Sequence, residues 1–252
     1  VVSIVSHDLK YPLGVVGGAA ELLLDLPLDE EERDRQARII RRSADRMGRL
    51  VRDLLDVARM DAGALVVRRT AERVGPLVEE IHQSFTPQAE AKGITLERQV
   101  DPDLPPASMD PDRIHQALSN LVVNALKFTP EGGRIVLGAE VVEGGDGIAL
   151  SVTDSGPGIS DEAAEHLFDR FWQASRDDRT GSGLGLAIVK GIMEAHEGRV
   201  EVDSTPGAGT VFVLHLQAVG GPSGVASADG DTRADDITAF LEEGGLLEEQ
   251  GD

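Results

Sequence analysis

A chain of 252 residues without cysteine and with a net charge of -21 has length for one large or two modest domains, and it can form neither disulfides nor thiolate metal sites. The acidity argues against a nucleic-acid backbone as partner, and no run of about 18 apolar residues is present to cross a membrane. The sequence enters a helical pattern directly at Val1, with neither an initiator Met nor a signal peptide, so it is expected to be a piece whose upstream portion, a sensor or a membrane anchor, lies elsewhere.

Residues 1 to about 25 read as an amphipathic helix. Val2, Val5, Leu9, Leu13, Val16, Ala20 and Leu23 step by three and four, which places them within roughly 40° either side of one line. His7 points about 160° away from that line, Tyr11 shares its outer face one turn later, and Asp8 lies on a flank. An imidazole so placed is open to a second molecule or domain, although a lone exposed histidine is ordinarily only a solvated surface residue. Pro12 has no N–H for the carbonyl of Asp8 and predicts a bend beside His7, at a cost of about 3 kcal/mol. That cost fits a functional device or a tolerated kink.

Leu26-Pro27-Leu28-Asp29 predicts a turn and an N-cap, and the acidic Glu30-Glu31-Glu32 suits the first turn of a second helix running to about Arg59. Ile40, Met47, Val51, Leu54 and Ala58 form its apolar stripe. Two helices with one stripe each leave apolar surface wet, which either dimerisation into a four-helix bundle or packing on another part of the chain would cover.

After Asp61-Ala62-Gly63 the period changes. Leu65-Val66-Val67 reads as a strand, Val74 to about Ala91 as a helix, and Ile94 to Val100 as a strand. Pro102, Pro105 and Pro106 mark a loop, and Asp110-Pro111 an N-cap with proline at N1. The helix from 111 to about 128 sets Ile114, Ala117, Leu118, Leu121 and Ala125 against a polar stripe of Arg113, Gln116, Asn120, Asn124 and Lys127. Ile135 to Val142 and Ile148 to Thr153 read as paired strands around a glycine turn. Asp154-Ser155-Gly156-Pro157-Gly158-Ile159, a short helix from Ser160, Phe168-Asp169-Arg170-Phe171-Trp172 and a charged loop follow. Gly181-Ser182-Gly183-Leu184-Gly185-Leu186 then opens a helix to about His196. Arg199 to Ser204 and Thr210 to Leu216 complete the strands. From about 218 the composition is that of an acidic, disordered tail, solvating or docking.

The expected fold class is α+β: a helical hairpin over residues 1–62, a two-layer α/β sandwich over 63–217 and the tail over 218–252. Within the second domain, glycines at 181, 183 and 185 ahead of a helix suit an anion, but the context fits neither a Rossmann turn nor a P-loop. Asn120 and Asn124 are poor helix formers in mid-helix. An amide oxygen is a hard ligand suited to Mg²⁺, and Lys127 can meet phosphate charge. Asp154 could accept from an exocyclic amine. Each of these taken singly is equally a loop or cap residue, and His82, His115, His166, His196 and His215 have no mutual metal-ligand spacing and read as structural or exposed.

Taken in order, Ser-His7-Asp8-Leu-Lys-Tyr-Pro-Leu, Asn120-Leu-Val-Val-Asn124-Ala-Leu-Lys127-Phe128-Thr129, Asp154-Ser-Gly-Pro-Gly, Phe168-Asp-Arg-Phe171 and Gly181-Ser-Gly-Leu-Gly-Leu186 resemble the H, N, G1, F and G2 boxes of the sensor histidine kinases of two-component systems. The resemblance implies a dimerisation and phosphoacceptor hairpin followed by a Bergerat-type ATP-binding domain, in a cytoplasmic piece with no membrane contact of its own. It implies ATP and Mg²⁺, self-association through residues 1–62, a response-regulator receiver domain as partner, and no nucleic acid. Carried over, His7 is the phosphoacceptor and Asp8 its base or orienter; Asn124 ligates Mg²⁺; Asn120 and Lys127 contact the phosphates or support the site, and Phe128 is among the nucleotide-binding residues. Asp154 recognises the adenine amine in a pocket shaped by Gly156 and Gly158. Phe168 and Phe171 anchor a lid that Gly181, Ser182, Gly183, Leu184, Gly185 and Leu186 let fold over the triphosphate. For Arg176 and Arg179 in the lid, a phosphate role and a solvated-loop role both stand.

The gyrase-type and chaperone-type ATPases resemble the nucleotide boxes but place a glutamate one turn before the metal asparagine to activate water. Asn120 stands there, and an amide cannot take that proton. A nucleotide-binding scaffold without catalysis is the other alternative. One departure concerns the fourth position after the histidine, usually Thr, Asn or Ser and implicated in dephosphorylating the regulator. Here it is Tyr11, which puts phosphatase activity in doubt.

Overall fold

The structure, a computed structural model, describes residues 2–142, 144–173 and 182–219, and of residues 2–8 the backbone alone. The expected acidic tail, from residue 220 onward, lies outside the described residues, as does Gly181. The chain divides into two compact units: Val1–Ala64 with Asp169–Leu184, and Leu65–Phe168 with the chain from Gly185.

In the first unit, helices α1 (Val2–Asp25) and α2 (Glu30–Asp61) pack on each other. Asp29 caps α2 by accepting from the backbone N–H of Glu32, at 2.8 Å, and the acidic residues 30 to 32 meet the positive end of the helix dipole. Helix α1 runs unbroken through Pro12. The buried line of the hairpin passes through Pro12, Ala19, Leu50 and Val57. It is offset by a residue or so from the stripes expected through Leu13 and Val51. Those two stay 61% and 46% exposed, and Leu55 stays exposed beside them. The apolar face of each helix is wider than one partner helix covers, and the hairpin leaves part of it exposed.

In the second unit, strands β2 (Thr95–Val100), β4 (Arg134–Val141), β5 (Gly147–Asp154), β6 (Arg199–Thr205) and β7 (Gly209–Gln217) form a mixed sheet in the order β2-β4-β5-β7-β6, parallel only between β2 and β4. Helices α3 (Val74–Glu90), α4 (Pro111–Phe128) and α6 (Gly185–Ala195) pack on this sheet, and α5 (Asp161–Ala164) is a single turn. This is the expected α+β arrangement of a helical hairpin followed by a helix-on-sheet layer. The core is built from the apolar face read for α4, with Ile114, Ala117, Leu118, Leu121 and Ala125 all buried. Ile188 and Ile192 of α6 and Ile148, Leu150 and Leu214 of the sheet are buried as well. Each large side chain contributes about 1.5–3 kcal/mol by leaving water.

Two expectations fail. Leu65-Val66-Val67 is not a strand; the ladder begins at β1 (Thr70–Glu72), which pairs antiparallel with β3 (Ala107–Met109). Val66 is 73% exposed, and β-branched residues without a strand to pair with make no sheet. Strand β3 emerges from the segment read as a proline loop, because Pro105 and Pro106 precede it and leave the N–H groups of Ala107 to Met109 intact.

Asp110 caps α4 and also holds the segment ahead of β1. Its Oδ1 accepts from the N–H of Arg113 at 3.3 Å, and its Oδ2 from the N–H of Arg68 at 2.9 Å. Replacing Asp110 by Ala is expected to destabilise the second unit by about 1–2 kcal/mol, measured by urea unfolding; a loss below about 0.3 kcal/mol would show the cap to be idle.

Candidate functional site

Helix α4 presents two faces. While Ile114, Ala117, Leu118, Leu121 and Ala125 fix it to the core, Asn120, Asn124 and Lys127 lie half-buried on the opposite stripe. Asn120 donates from Nδ2 to the carbonyl oxygen of Gly185 at 3.3 Å, which joins this helix to the start of α6. The Lys127 ammonium stands 4.6 Å from the centroid of the Phe128 ring, and Phe128 is nearly half exposed.

Asp154 ends β5, the central strand, in register with Ile135 of β4 and Thr210 of β7. It is 8% exposed. Burial raises its pKa to about 6, against the opposing effect of the Gly156 N–H, which donates to Oδ1 at 2.8 Å. A Cβ on Gly156 would come within 2.6 Å of that oxygen and 3.4 Å of the Phe128 carbonyl oxygen. The absence of a side chain therefore leaves open the space where the end of α4 meets Asp154.

The loop after Asp154 is clasped by the turn between β6 and β7. The N–H of Gly207 donates to the carbonyl of Pro157 at 2.7 Å, and that of Ile159 to the hydroxyl of Ser204 at 2.8 Å. Gly158 has φ +70, and a Cβ there would lie 2.1 Å from the Thr205 carbonyl oxygen, so only glycine fits. Gly209, which sequence reasoning did not single out, has φ +117 and closes on the back of Asp154, where a Cβ would meet its carbonyl oxygen at 2.1 Å. A glycine at the first position of a strand was the available signal. Thr129 follows Phe128, and its buried hydroxyl has no hydrogen-bond partner among the described residues. It was quoted within a motif but given no role.

Phe168 lies in this unit, 6.0 Å from ring centroid to the Lys190 ammonium, and Leu186 is half-buried in the first turn of α6. Phe171, Ser182, Gly183 and Leu184 belong to the first unit. There the N–H of Phe171, at φ 63, donates to the Gly183 carbonyl at 2.8 Å and draws the two ends of the intervening loop together. Ser182 donates to Oδ2 of Asp53 on α2 at 3.5 Å, Arg170 pairs with Asp61, and Leu184 is buried. His7 and Asp8 fall in the first two turns of α1, with side chains outside the described residues, and Tyr11 one turn on is 64% exposed. Gly181, Arg176 and Arg179 are likewise outside them.

The structure thus joins Asn120 to Gly185 and Gly156 to Asp154, with the carbonyl of Phe128 beside Gly156. Against known proteins, residues 109–220 match the family described as histidine kinase-, DNA gyrase B- and HSP90-like ATPase, and residues 1–63 match the His Kinase A (phospho-acceptor) domain. The chain belongs to the sensor histidine kinases. It is 35% identical over 212 residues to the sensor protein DivL of Caulobacter vibrioides, covering 84% of this chain and 27% of DivL. It is 30% identical over 224 residues to the adaptive-response sensory kinase SasA of Microcystis aeruginosa, covering 86% of this chain and 58% of SasA. Among solved structures, ShkA in complex with AMPPNP is 30% identical with a TM-score of 0.66, over 86% of this chain and 46% of ShkA. The kinase chain spans less than two thirds of these relatives.

For Mg²⁺ the donor chemistry fits in a limited way. Asn124 offers one hard amide oxygen, and among the described residues no group of three or more His, Asp or Glu could hold a metal. An amide oxygen is a donor of the type that Mg²⁺ takes. No described helix is long and apolar enough to cross a membrane.

A carboxyl whose folded pKa is raised costs stability once it ionises. The cost is absent well below pH 4, grows between about pH 4 and 6, and is complete above about 6. Asp154→Asn is therefore expected to stabilise the protein at pH 8 by about 3 kcal/mol and to leave it nearly unchanged at about pH 3. Thermal melting of both proteins at the two pH values checks this, and equal gains at both would refute it.

Proposed function

We propose that this chain is the catalytic part of a protein histidine kinase, which phosphorylates His7 from ATP and passes the group to an aspartate on a receiver domain of a response regulator. The observation that carries the reading is the buried, hard-to-ionise Asp154 at the end of β5, with Gly156 between it and the end of α4, whose uncharged Asn120 and Asn124 and cationic Lys127 share one stripe. Perturbed carboxyls of this kind concentrate at functional sites.

In the ionised state Asp154 accepts from the exocyclic amine of adenine; the absence of a side chain at Gly156 leaves room beside that carboxyl, and Gly158 shapes the pocket by letting its loop close on the Thr205 carbonyl. Lys127 meets phosphate charge, and Asn120 and Phe128 support that end of the site. Phe168 and Phe171 anchor the lid, and Gly181 to Leu186 let it approach the triphosphate. Asn124 would hold Mg²⁺, which when bound offsets charge on the phosphates.

The acceptor is a neutral imidazole nitrogen of His7, whose lone pair attacks the γ-phosphorus. As the N–P bond forms, the P–O bond to the β-phosphate breaks and its electron pair leaves with ADP. Asp8 holds the other ring N–H and offsets the positive charge that develops there. In the second step a receiver carboxylate oxygen attacks the phosphorus, and the N–P electron pair returns to the ring.

Self-association through residues 1–62 is supported by the uncovered part of the hairpin, where Leu13, Val51 and Leu55 are exposed. A second hairpin would complete a four-helix bundle. The cytoplasm is the compartment that ATP and a receiver partner require. Hydrolysis to free phosphate is disfavoured because Asn120, spent on the Gly185 carbonyl, is an amide and cannot act as a base toward water.

With labelled ATP and Mg²⁺, wild type is expected to take an acid-labile, alkali-stable label that His7→Ala abolishes. A label that persists in the mutant overturns the assignment of His7, and phosphate release without labelling supports the ATPase reading instead. Because Tyr11 is exposed where a receiver must approach, it is expected to block removal of the regulator's phosphoryl group. Tyr11→Thr should raise dephosphorylation of the regulator at least about tenfold, and no gain would reject the blocking role.

A further inference from the structure

His196 stands where two helices of the second unit meet, and both its ring nitrogens are engaged. It directly follows α6 and is 2% exposed. Nδ1 lies 2.7 Å from the carbonyl oxygen of Ile192, which can only accept, so the ring proton sits on Nδ1. Nε2 is left as an acceptor, and it takes the backbone N–H of Asp110, the N-cap of α4, at 3.0 Å. Burial holds the imidazole pKa below its ordinary value, which keeps this neutral form. Arg69 donates to the His196 carbonyl and grips both carboxylate oxygens of Glu197, each at 3.0 Å, so the backbone carrying the ring is held as well.

This contact has a counterpart at the far end of the helix pair. Asn120 of α4 donates to the carbonyl of Gly185 at the start of α6. Asp110 and Asn120 are separated by about 15 Å of helix rise, and Gly185 and His196 stand at opposite ends of α6. The two helices run in opposite directions and are tied at two points. The apolar contact between them is non-directional and tolerates a slide that directed hydrogen bonds do not.

We propose that His196 is a positioning residue for the nucleotide site: by holding the Asp110 N–H, its Nε2 fixes the register of α4 along α6, and with it the place of Asn120, Asn124 and Lys127 relative to Gly185. The inference deepens the reading of that stripe as a nucleotide site and rests on it.

The test uses the full chain at pH 8 and two replacements. His196→Gln carries an acceptor to the place of Nε2, whereas His196→Asn reaches only the place of Nδ1. The Gln variant is expected to bind Mg-ATP within about twofold of wild type, and the Asn variant about five- to tenfold more weakly. The ¹⁵N side-chain amide signals of Asn120 and Asn124 are expected to move in the Asn variant and stay in place in the Gln variant. An Asn variant that folds, binds as wild type and leaves those signals unmoved overturns the proposal, as does a Gln variant impaired as much as the Asn one. Should the Asn variant fail to fold, wild type decides: a scalar coupling across Asp110 N–H to Nε2 supports the clamp, and a proton found on Nε2 refutes it. If wild type binds no ATP, the functional reading fails, while the amide signals still report on the register.

Discussion

The two-sided burial of α4 is the constraint on which the rest of the second unit depends. Its apolar face sinks Ile114, Ala117, Leu118, Leu121 and Ala125 into the core, and a helix fixed along one side has no freedom to rotate the other. The position of Asn120, Asn124 and Lys127 around the helix axis is thereby set. This is how poor helix formers can stand in mid-helix: the apolar burial, at about 1.5–3 kcal/mol for each large side chain, outweighs a propensity cost of some tenths of a kcal/mol for each asparagine. Packing fixes rotation, and hydrogen bonds at Asp110 and Asn120 fix translation.

The hairpin follows the opposite logic. Its helices carry more apolar surface than they hide from water, and the excess lies in defined positions, at Leu13, Leu22, Val51 and Leu55. A stripe wider than one neighbour needs is costly for a hairpin alone and useful for one that associates. Around His7 the sequence adds Pro12, which deprives the Asp8 carbonyl of its helical partner. The helix is locally weakened next to its proposed acceptor while the packing line through Ala19 and Val57 remains intact.

Elements with a strong period or a cap were legible. The bounds of α2, α3 and α4 fall within a residue or two of the expected ones, because Asp29 and Asp110 announce helix starts and the stripes persist over several turns. The strand expected at residues 65 to 67 fails because β-branched residues report a preference for sheet and not the presence of a partner strand. Strand β3 was hidden because prolines beside a strand look the same in sequence as prolines in a loop. The hairpin lines were misplaced by about one residue, since a wide apolar face does not say which half meets its own chain. For the site, residue types and order carried the reading, but the electrostatics were not visible. The raised pKa of Asp154 comes from its burial at the end of the central strand between β4 and β7, against the opposing pull of the Gly156 N–H, and only the folded chain brings that burial about.

Asp154 also shows why stability and function separate in this domain. An aspartate at the end of a central strand, largely hidden from water and bonded among the described residues to one backbone N–H, that of Gly156, is a poor choice for stability alone. Asparagine would keep the acceptor and shed the desolvation cost. What asparagine lacks is the negative charge that makes the acceptor strong toward an amine entering from the opened side. The fold tolerates the penalty because the strands on both sides hold the backbone of Asp154 in register regardless of its ionisation. A rigid sheet can thus carry an unfavourable carboxylate at its rim, where on the proposed reading its charge strengthens the hydrogen bond it accepts from an adenine amine.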